Sequence, residues 1–313
     1  MRHLSARRFA VIGSALAAAT ILGLGARVSG QAQAGAAAPV FLVALDRLGE
    51  PVTNLEPSQV SLTLDGARCP SVKVEPINWP MKLTVLLDNS VSMRNDLPSL
   101  RDGLKAFLAE VPDGVEVAIY VLAPQPRPLL RATTDRQAIA KASGLLAPDA
   151  GVAKLLDGLG EAVGRIVKEK GDAFYTMMVF TTNGSEGSNG NIDDTWKKLQ
   201  AQIPLRPLTM HVLMYSLTGQ AALRTSGIQI SIGRAITQST SGHYDNIGAA
   251  SRITTLMPEF AKLIARAANL QSHQYRVTCE GSTAKDPAMS LSTSDPRVAD
   301  VIVTRNGQIG AGK

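Results

Sequence analysis

Between residues 82 and 270, apolar runs of strand length alternate regularly with amphipathic runs of helix length. Strands are predicted at 82–87, 115–122, 128–131 (a short edge strand), 176–180 and 208–215. Between and after them, helices are predicted at 97–111, 135–146, 155–168, 193–203, 228–239 and 255–270. In the first helix Leu97, Leu100, Leu104, Phe107, Leu108 and Val111 recur every three or four residues, and Pro98 suits its first turn. The strands read as near-continuous apolar runs, as strands covered on both faces do. The fold class that follows is α/β, a doubly wound, mostly parallel sheet with helices on both faces.

The strand at 82–87 ends abruptly in Asp88, Ser90 and Ser92. Oxygen-bearing side chains at alternate positions just past the carboxyl end of a buried strand stand where open α/β sheets place ligand sites. Oxygen-only donors suit a hard cation such as Mg²⁺ or Mn²⁺. The plainer reading of the same residues is a strand-to-helix turn in which Asp and Ser cap the next helix.

Asp-x-Ser-x-Ser is also the first element of the metal-ion-dependent adhesion site of von Willebrand factor type A (VWA) domains, which this segment resembles. The resemblance extends over the whole 82–270 span. Val179-Phe180-Thr181-Thr182-Asn183-Gly184 looks like the strand-end Thr-Asp-Gly of such domains. Thr240-Ser241-Gly242-His243-Tyr244 looks like the turn before their last helix. The flanks are similar to a bacterial group of exported proteins with a VWA domain. That group's Asp-x-x-Gly-x-Pro-Val-x-x-Leu segment is matched by residues 46–55, and its Gln-Tyr-x-Leu strand by Gln274-Tyr275-Arg276-Val277.

In a complete site, the resemblance implies, two Ser hydroxyls and a second-loop Thr bind the metal directly. Two Asp residues assist, commonly through water, and a partner's carboxylate completes the octahedron. Here Asp88, Ser90 and Ser92 match. The second loop, residues 151–154, carries no Thr, and Asn183 stands where the third-loop Asp is expected. Asn offers a carbonyl oxygen without the charge. Lys154, on that second loop, is a candidate to supply a positive charge to Asp88 in place of a cation. The candidate metal set is therefore Asp88, Ser90, Ser92 and Asn183, for Mg²⁺ or Mn²⁺ or for no metal at all. Arg94, Lys154, Ser185 and Glu186 are the candidate partner-binding residues on the surrounding loops. The polar run at 184–191 reads either as a recognition loop or as a solvated connection.

Outside the α/β span the chain is β-like. Alternating segments at 61–64 and 71–74 flank an Asp65-Gly66 hairpin signal, and further strands are expected at 273–279, 289–291 and 298–305. So few strands with one apolar face are not stable alone. We infer that the two flanks form one small β module beside the sheet. The chain then divides into a leader (1–34), an N-terminal β segment (35–80), the VWA-like domain (81–271) and a C-terminal β segment (272–313) that packs with the N-terminal one. Cys69 and Cys279, the two cysteines, would each fall on one flank; a disulfide between them is favoured over two separate buried thiols.

The leader rests on Arg2, Arg7 and Arg8, the apolar run at 9–24 and a small-x-small cleavage site at Ala32-Gln33-Ala34. It predicts export to the periplasm or beyond, without a stable membrane anchor. Removing it leaves 279 of 313 residues and takes away four basic residues and no acid, so the net charge falls from +6 to +2. With so small a surplus and 4% aromatics, a nucleic-acid surface is not expected.

Enzymatic signatures are weak. His211, His243 and His273 show no metal-ligand spacing, and neither a Gly-x-Ser-x-Gly elbow nor a Walker loop is present. His211, in an apolar strand, reads as a core residue. The sequence thus points to an exported protein-interaction or adhesion module that is not an enzyme and has a protein partner. A metal-independent assembly component is the alternative, and a hydrolase with an unrecognised site the third reading.

Overall fold

Strands in the middle of a parallel sheet are covered on both faces, so their side chains are apolar on both sides. The computed structural model describes residues 39–218, 226–282 and 287–310, and the leader assigned to 1–34 lies outside them. The chain begins with β1 (Val40–Leu45), β2 (Val60–Leu64), β3 (Ala67–Arg68) and β4 (Val72–Pro76). It continues through β5 (Met81–Leu87), α1 (Leu97–Glu110), β6 (Glu116–Val121), β7 (Arg127–Thr133), α2 (Arg136–Leu145) and α3 (Leu155–Lys168). Next come β8 (Phe174–Thr182), α4 (Ile192–Gln202), β9 (Leu208–Tyr215), α5 (Gly227–Ser239), β10 (Tyr244–Ile247) and α6 (Ile253–Ser272). It closes with β11 (Tyr275–Cys279), β12 (Met289–Thr293) and β13 (Asp300–Thr304).

The central sheet has the order β10-β9-β8-β5-β6-β7. All its pairings are parallel except that of β7 with β6. Every residue of β8 and β9 is buried. On one face α1 and α6 pack with Leu83, Val85 and Leu87 of β5. On the other, Leu86 joins α3 and the buried side of α5.

Two differences from the sequence reading have physical causes. β8 starts two residues before the apolar core at 176–180, with buried Phe174 and Tyr175, and runs two residues past it, because buried Thr181 and Thr182 place their hydroxyls in hydrogen bonds, to Gln229 Oε1 at 2.7 Å and Asp88 Oδ2 at 2.8 Å. β10 was not expected: Tyr-Asp-Asn-Ile is too polar to read as a strand, yet as an edge it pairs with β9 on one side only.

The flanks meet as two small antiparallel sheets, β13-β1-β11-β4 and β12-β2-β3. Val40, Leu42 and Ala44 of β1, Leu62 of β2, Val277 of β11 and Leu291 of β12 share the core between them. The opposite face of β1 turns to the α/β domain: Val43 and Leu45 pack with Leu270 of α6, and the Phe41 ring lies 5.5 Å from Trp79, itself 5.2 Å from Phe174 of β8. β1 is therefore apolar at all six positions because it is covered twice. Cys69 and Cys279 are joined by a disulfide, with Cα atoms 5.7 Å apart, that links the two small sheets. The hairpin at Asp65-Gly66, both with positive φ, returns through the short β3, while residues 72–76 cross to pair with β11 in the other sheet.

The turn after α5 ties that helix to β9. Thr240 Oγ1 accepts from Met210 N at 2.9 Å and donates to Ile236 O at 2.7 Å. Gly242 lies so close to β9 that a Cβ there would sit 1.7 Å from Met210 O. Directly beyond, His211 is buried and its Nδ1 accepts from His243 N at 3.2 Å, which assigns the neutral ring with its proton on Nε2. Burial first, then the neighbouring His243, pushes the His211 pKa down to about 4. The unfolded chain, with an ordinary His pKa of 6.5, takes up this proton before the native state does. Stability contributed by neutral His211 is thus complete above pH 6.5 and is lost as the pH falls to 4, by about 3 kcal/mol. Urea unfolding across this range should show that slope, and His211→Asn, which keeps an acceptor for His243 N, should flatten it relative to the parent.

Candidate functional site

β5 lies between β6 and β8 with Leu87 opposite Val121 and Phe180, so the next residue, Asp88, emerges at the carboxyl edge of the sheet's centre. Its carboxylate has no solvent exposure. A buried carboxylate needs hydrogen-bond donors. Oδ1 accepts from Ser90 N at 2.9 Å and Oδ2 from Thr182 Oγ1 at 2.8 Å. Asn89, equally buried, joins the neighbouring loops: its Oδ1 accepts from Ala123 N at 3.0 Å and its Nδ2 donates to Ala147 O at 3.1 Å.

Ser90 precedes a short 3-10 turn, Val91–Met93, that carries Ser92 back toward the third loop. The Ser92 Oγ would lie 3.8 Å from a Cβ placed on Gly184. Among the described residues neither the Ser90 nor the Ser92 hydroxyl is engaged in a hydrogen bond. Beside them Val91 and Val152 are unusually open for large apolar residues, at 46% and 42% exposure. Arg94 is exposed just beyond.

The second loop is held against the first by Val91 N, which donates to Gly151 O at 3.2 Å. Lys154 does not reach Asp88: its Nζ donates to Asn189 Oδ1 at 3.0 Å, and the donors that satisfy Asp88 are neutral. In the third loop Asn183 Oδ1 accepts from Leu217 N at 2.8 Å, which ties β8 to the chain leaving β9 and leaves one lone pair of that oxygen.

The polar run at 184–190 is built onto the start of α3. Gly187 N donates to Ala153 O at 2.8 Å, and a Cβ at Gly187 would come within 3.1 Å of that oxygen. Ser188 Oγ accepts from Asp157 N, and Asn189 donates to Asp157 Oδ2 through both its backbone and its side chain. Glu186, expected on a partner-facing surface, turns inward. Its Oε1 accepts from Leu156 N and from Ser188, and its Oε2 is buried without a partner. Burial raises its pKa, opposed by those hydrogen bonds. The first residues of α3 thus receive a carboxylate from another loop, as a helix N-terminus favours. Ser185 is exposed at the crest of the run.

Farther out, Tyr215 at the end of β9 donates to Asp96 Oδ2 at 2.9 Å, and burial together with that carboxylate pushes the phenol up to about 12. No group of three or more His, Cys, Asp or Glu side chains suited to a metal occurs among the described residues. The donors that gather here are hydroxyls with a single carboxylate. Such a set fits a hard cation only loosely, because Mg²⁺ and Ca²⁺ sites gain affinity with the number of charged ligands.

No family model matches the sequence, and no curated protein matches it. Similar solved structures do exist. A von Willebrand factor type A protein from Catenulispora acidiphila is 16% identical with a TM-score of 0.49, over 75% of this chain and 51% of that one. This chain therefore spans about half the length of that relative. The likeness lies in the fold, a central mostly parallel sheet with helices on both faces. The pilus adhesin SpaC from Lactobacillus rhamnosus GG is 12% identical with a TM-score of 0.48, over 71% of this chain and 35% of that one. Proximal thread matrix protein 1 from the mussel byssus, described with a zinc-occupied MIDAS motif, is 13% identical with a TM-score of 0.46, over 70% and 50%. At these identities the likeness concerns fold.

Thr182 and Asn89 had no place among the site residues singled out from the sequence of the α/β domain, although Thr182 stands inside a quoted motif. The position of Thr182 next to Asn183 was the available signal; its bond to Asp88, 94 residues away, depends on the pairing of β5 with β8. Thr182→Val keeps the shape and removes the donor from Asp88 Oδ2. It should cost about 1–3 kcal/mol in chemical denaturation, the usual penalty for leaving a buried acceptor unpaired.

Proposed function

We propose that this VWA-like protein is an exported protein-interaction module that docks a partner on the loops above the central strands. The observation that supports this most directly is the pair of uncommitted hydroxyls, Ser90 and Ser92. They follow the fixed Asp88 carboxylate on one loop, with the exposed Val91 between them and Val152 exposed on the second loop. A polar centre with an apolar margin suits a partner whose acidic side chain enters between hydrophobic contacts. Arg94, Lys154 and Ser185 border the same face.

In this reading a Mg²⁺ or Mn²⁺ ion is held weakly by Ser90 and Ser92, with Asp88 and the remaining lone pair of Asn183 in support. When bound, the ion would supply the positive charge that a partner carboxylate completes. No catalytic step is assigned. The alternative is a metal-independent assembly component, favoured by the full hydrogen bonding of Asp88 without any ion. Calorimetric titration with Mg²⁺ and Mn²⁺ separates the two. Saturable binding with a Kd on the order of a millimolar is expected for a site of such low charge. It should disappear in Asp88→Ala and in the Ser90→Ala/Ser92→Ala pair, whose smaller change guards against loss of folding. A flat titration would leave the loops as a metal-free surface.

Export rests on the leader at residues 1–34, and the Cys69–Cys279 bridge suits an oxidising compartment. Among the described residues no helix is long and apolar enough to cross a membrane. N-terminal mass spectrometry of the protein from the extracytoplasmic fraction should find a chain that starts at Gly35. An intact Met1 in a cytoplasmic fraction would refute the assignment.

A further inference from the structure

At the opposite end of the sheet from Asp88, a cleft of about 820 Å³ opens at the amino end of β9. Its walls are the last turns of α4 and α5, the turn at 240–242 and the tail at 306–310. The tail is a fixed wall. Gln308 Nε2 donates to Thr209 Oγ1, Ile309 is buried with Val43, Leu45, Leu270 and Ile302, and a Cβ on Gly310 would come within 2.7 Å of Ser241 Cβ. Trp196 lines this cleft and also an adjoining one of about 450 Å³ between α4 and α5, so the indole stands where the two meet.

The lining chemistry narrows the ligand. Among the described residues no carboxylate lines the larger cleft, which disfavours a metal ion. Among the described residues its one charged group is Arg206, which donates to the backbone carbonyls of Gly171, at 3.0 Å, and Glu169; a single cation, already anchored, is little for a polyanion, which is bound by several. The remaining polar lining includes the amides of Gln200, Gln238 and Asn306 and the hydroxyl of Ser241, groups that both donate and accept. A purely apolar ligand would strip water from these amides without replacing it. A sugar ring meets every requirement: its hydroxyls pair with amides, and its C–H face packs on the flat apolar indole. The volume lies within the ordinary range of ligand clefts. We propose that this cleft binds a neutral oligosaccharide, stacked on Trp196 and hydrogen-bonded by Gln200, Gln238 and Asn306.

The protein has two tryptophans, and the other, Trp79, is held between Phe41 and Phe174. In Trp79→Phe the indole emission therefore comes from Trp196 alone. Titration with cellotetraose, xylotetraose and chitotetraose should give a saturable change in that emission with at least one of them. Calorimetry on the unsubstituted protein reads the same binding without that variant. Gln200→Ala/Gln238→Ala, a change at two exposed positions, should weaken binding about tenfold at unchanged melting temperature. Chelation of metal by EDTA should have no effect, which separates this cleft from the Asp88 loops. The absence of a saturable response to all three sugars overturns the proposal. So does a response that the double variant leaves intact, or one that EDTA abolishes.

Discussion

A carboxylate without solvent exposure at the end of the central strand has to find donors close by, and Asp88 finds two. One is the backbone two residues on; the other is a hydroxyl at the end of β8. Because both are neutral, the negative charge is stabilised by dipoles rather than cancelled. That arrangement draws the first and third loops together, while Asn89 does the same for the loops after β6 and α2. These buried polar contacts, each costly to leave unmade, tie the loops of the top face to one another.

The same economy of burial explains the rest of the molecule. β1 serves two cores at once, the small β module on one side and the base of α6 on the other. The module is thereby an extension of the α/β domain rather than an appendage. The Cys69–Cys279 bridge lies across its two sheets and joins segments 210 residues apart. The tail that follows β13 then runs under the central sheet, where Ile309 and Gln308 hold it and where it forms one wall of the lower cleft. The two faces of the sheet's ends thus differ in chemistry: hydroxyls over a carboxylate above, amides beside an indole below.

Within the loop cluster, what was legible depended on how local the signal was. Asp88, Ser90 and Ser92 stand together on one loop at a strand end, as their spacing indicated. The roles of Lys154 and Glu186 were not legible. Lys154 reaches Asn189 rather than Asp88, and Glu186 sits in a polar run that resembles solvated loop but is turned onto the first turn of α3. A side chain's hydrogen-bond partner depends on the path of two or three separate loops, about which composition says nothing.

The alternation of strand and helix from 82 to 270, the helical stripes and the strand-like character of both flanks can be read from the residues alone. Periodicity records which sides of an element are buried, and burial is a property each residue carries locally. The strand order, the division of the flanks into two sheets and the edge position of polar β10 emerge with the folded chain. It is also the fold that makes Thr182 complete the environment of Asp88 and puts Trp196 in one cleft with a tail from the far end of the chain. These depend on register between segments up to a hundred residues or more apart, and register is settled by packing of the whole core rather than by any one stretch.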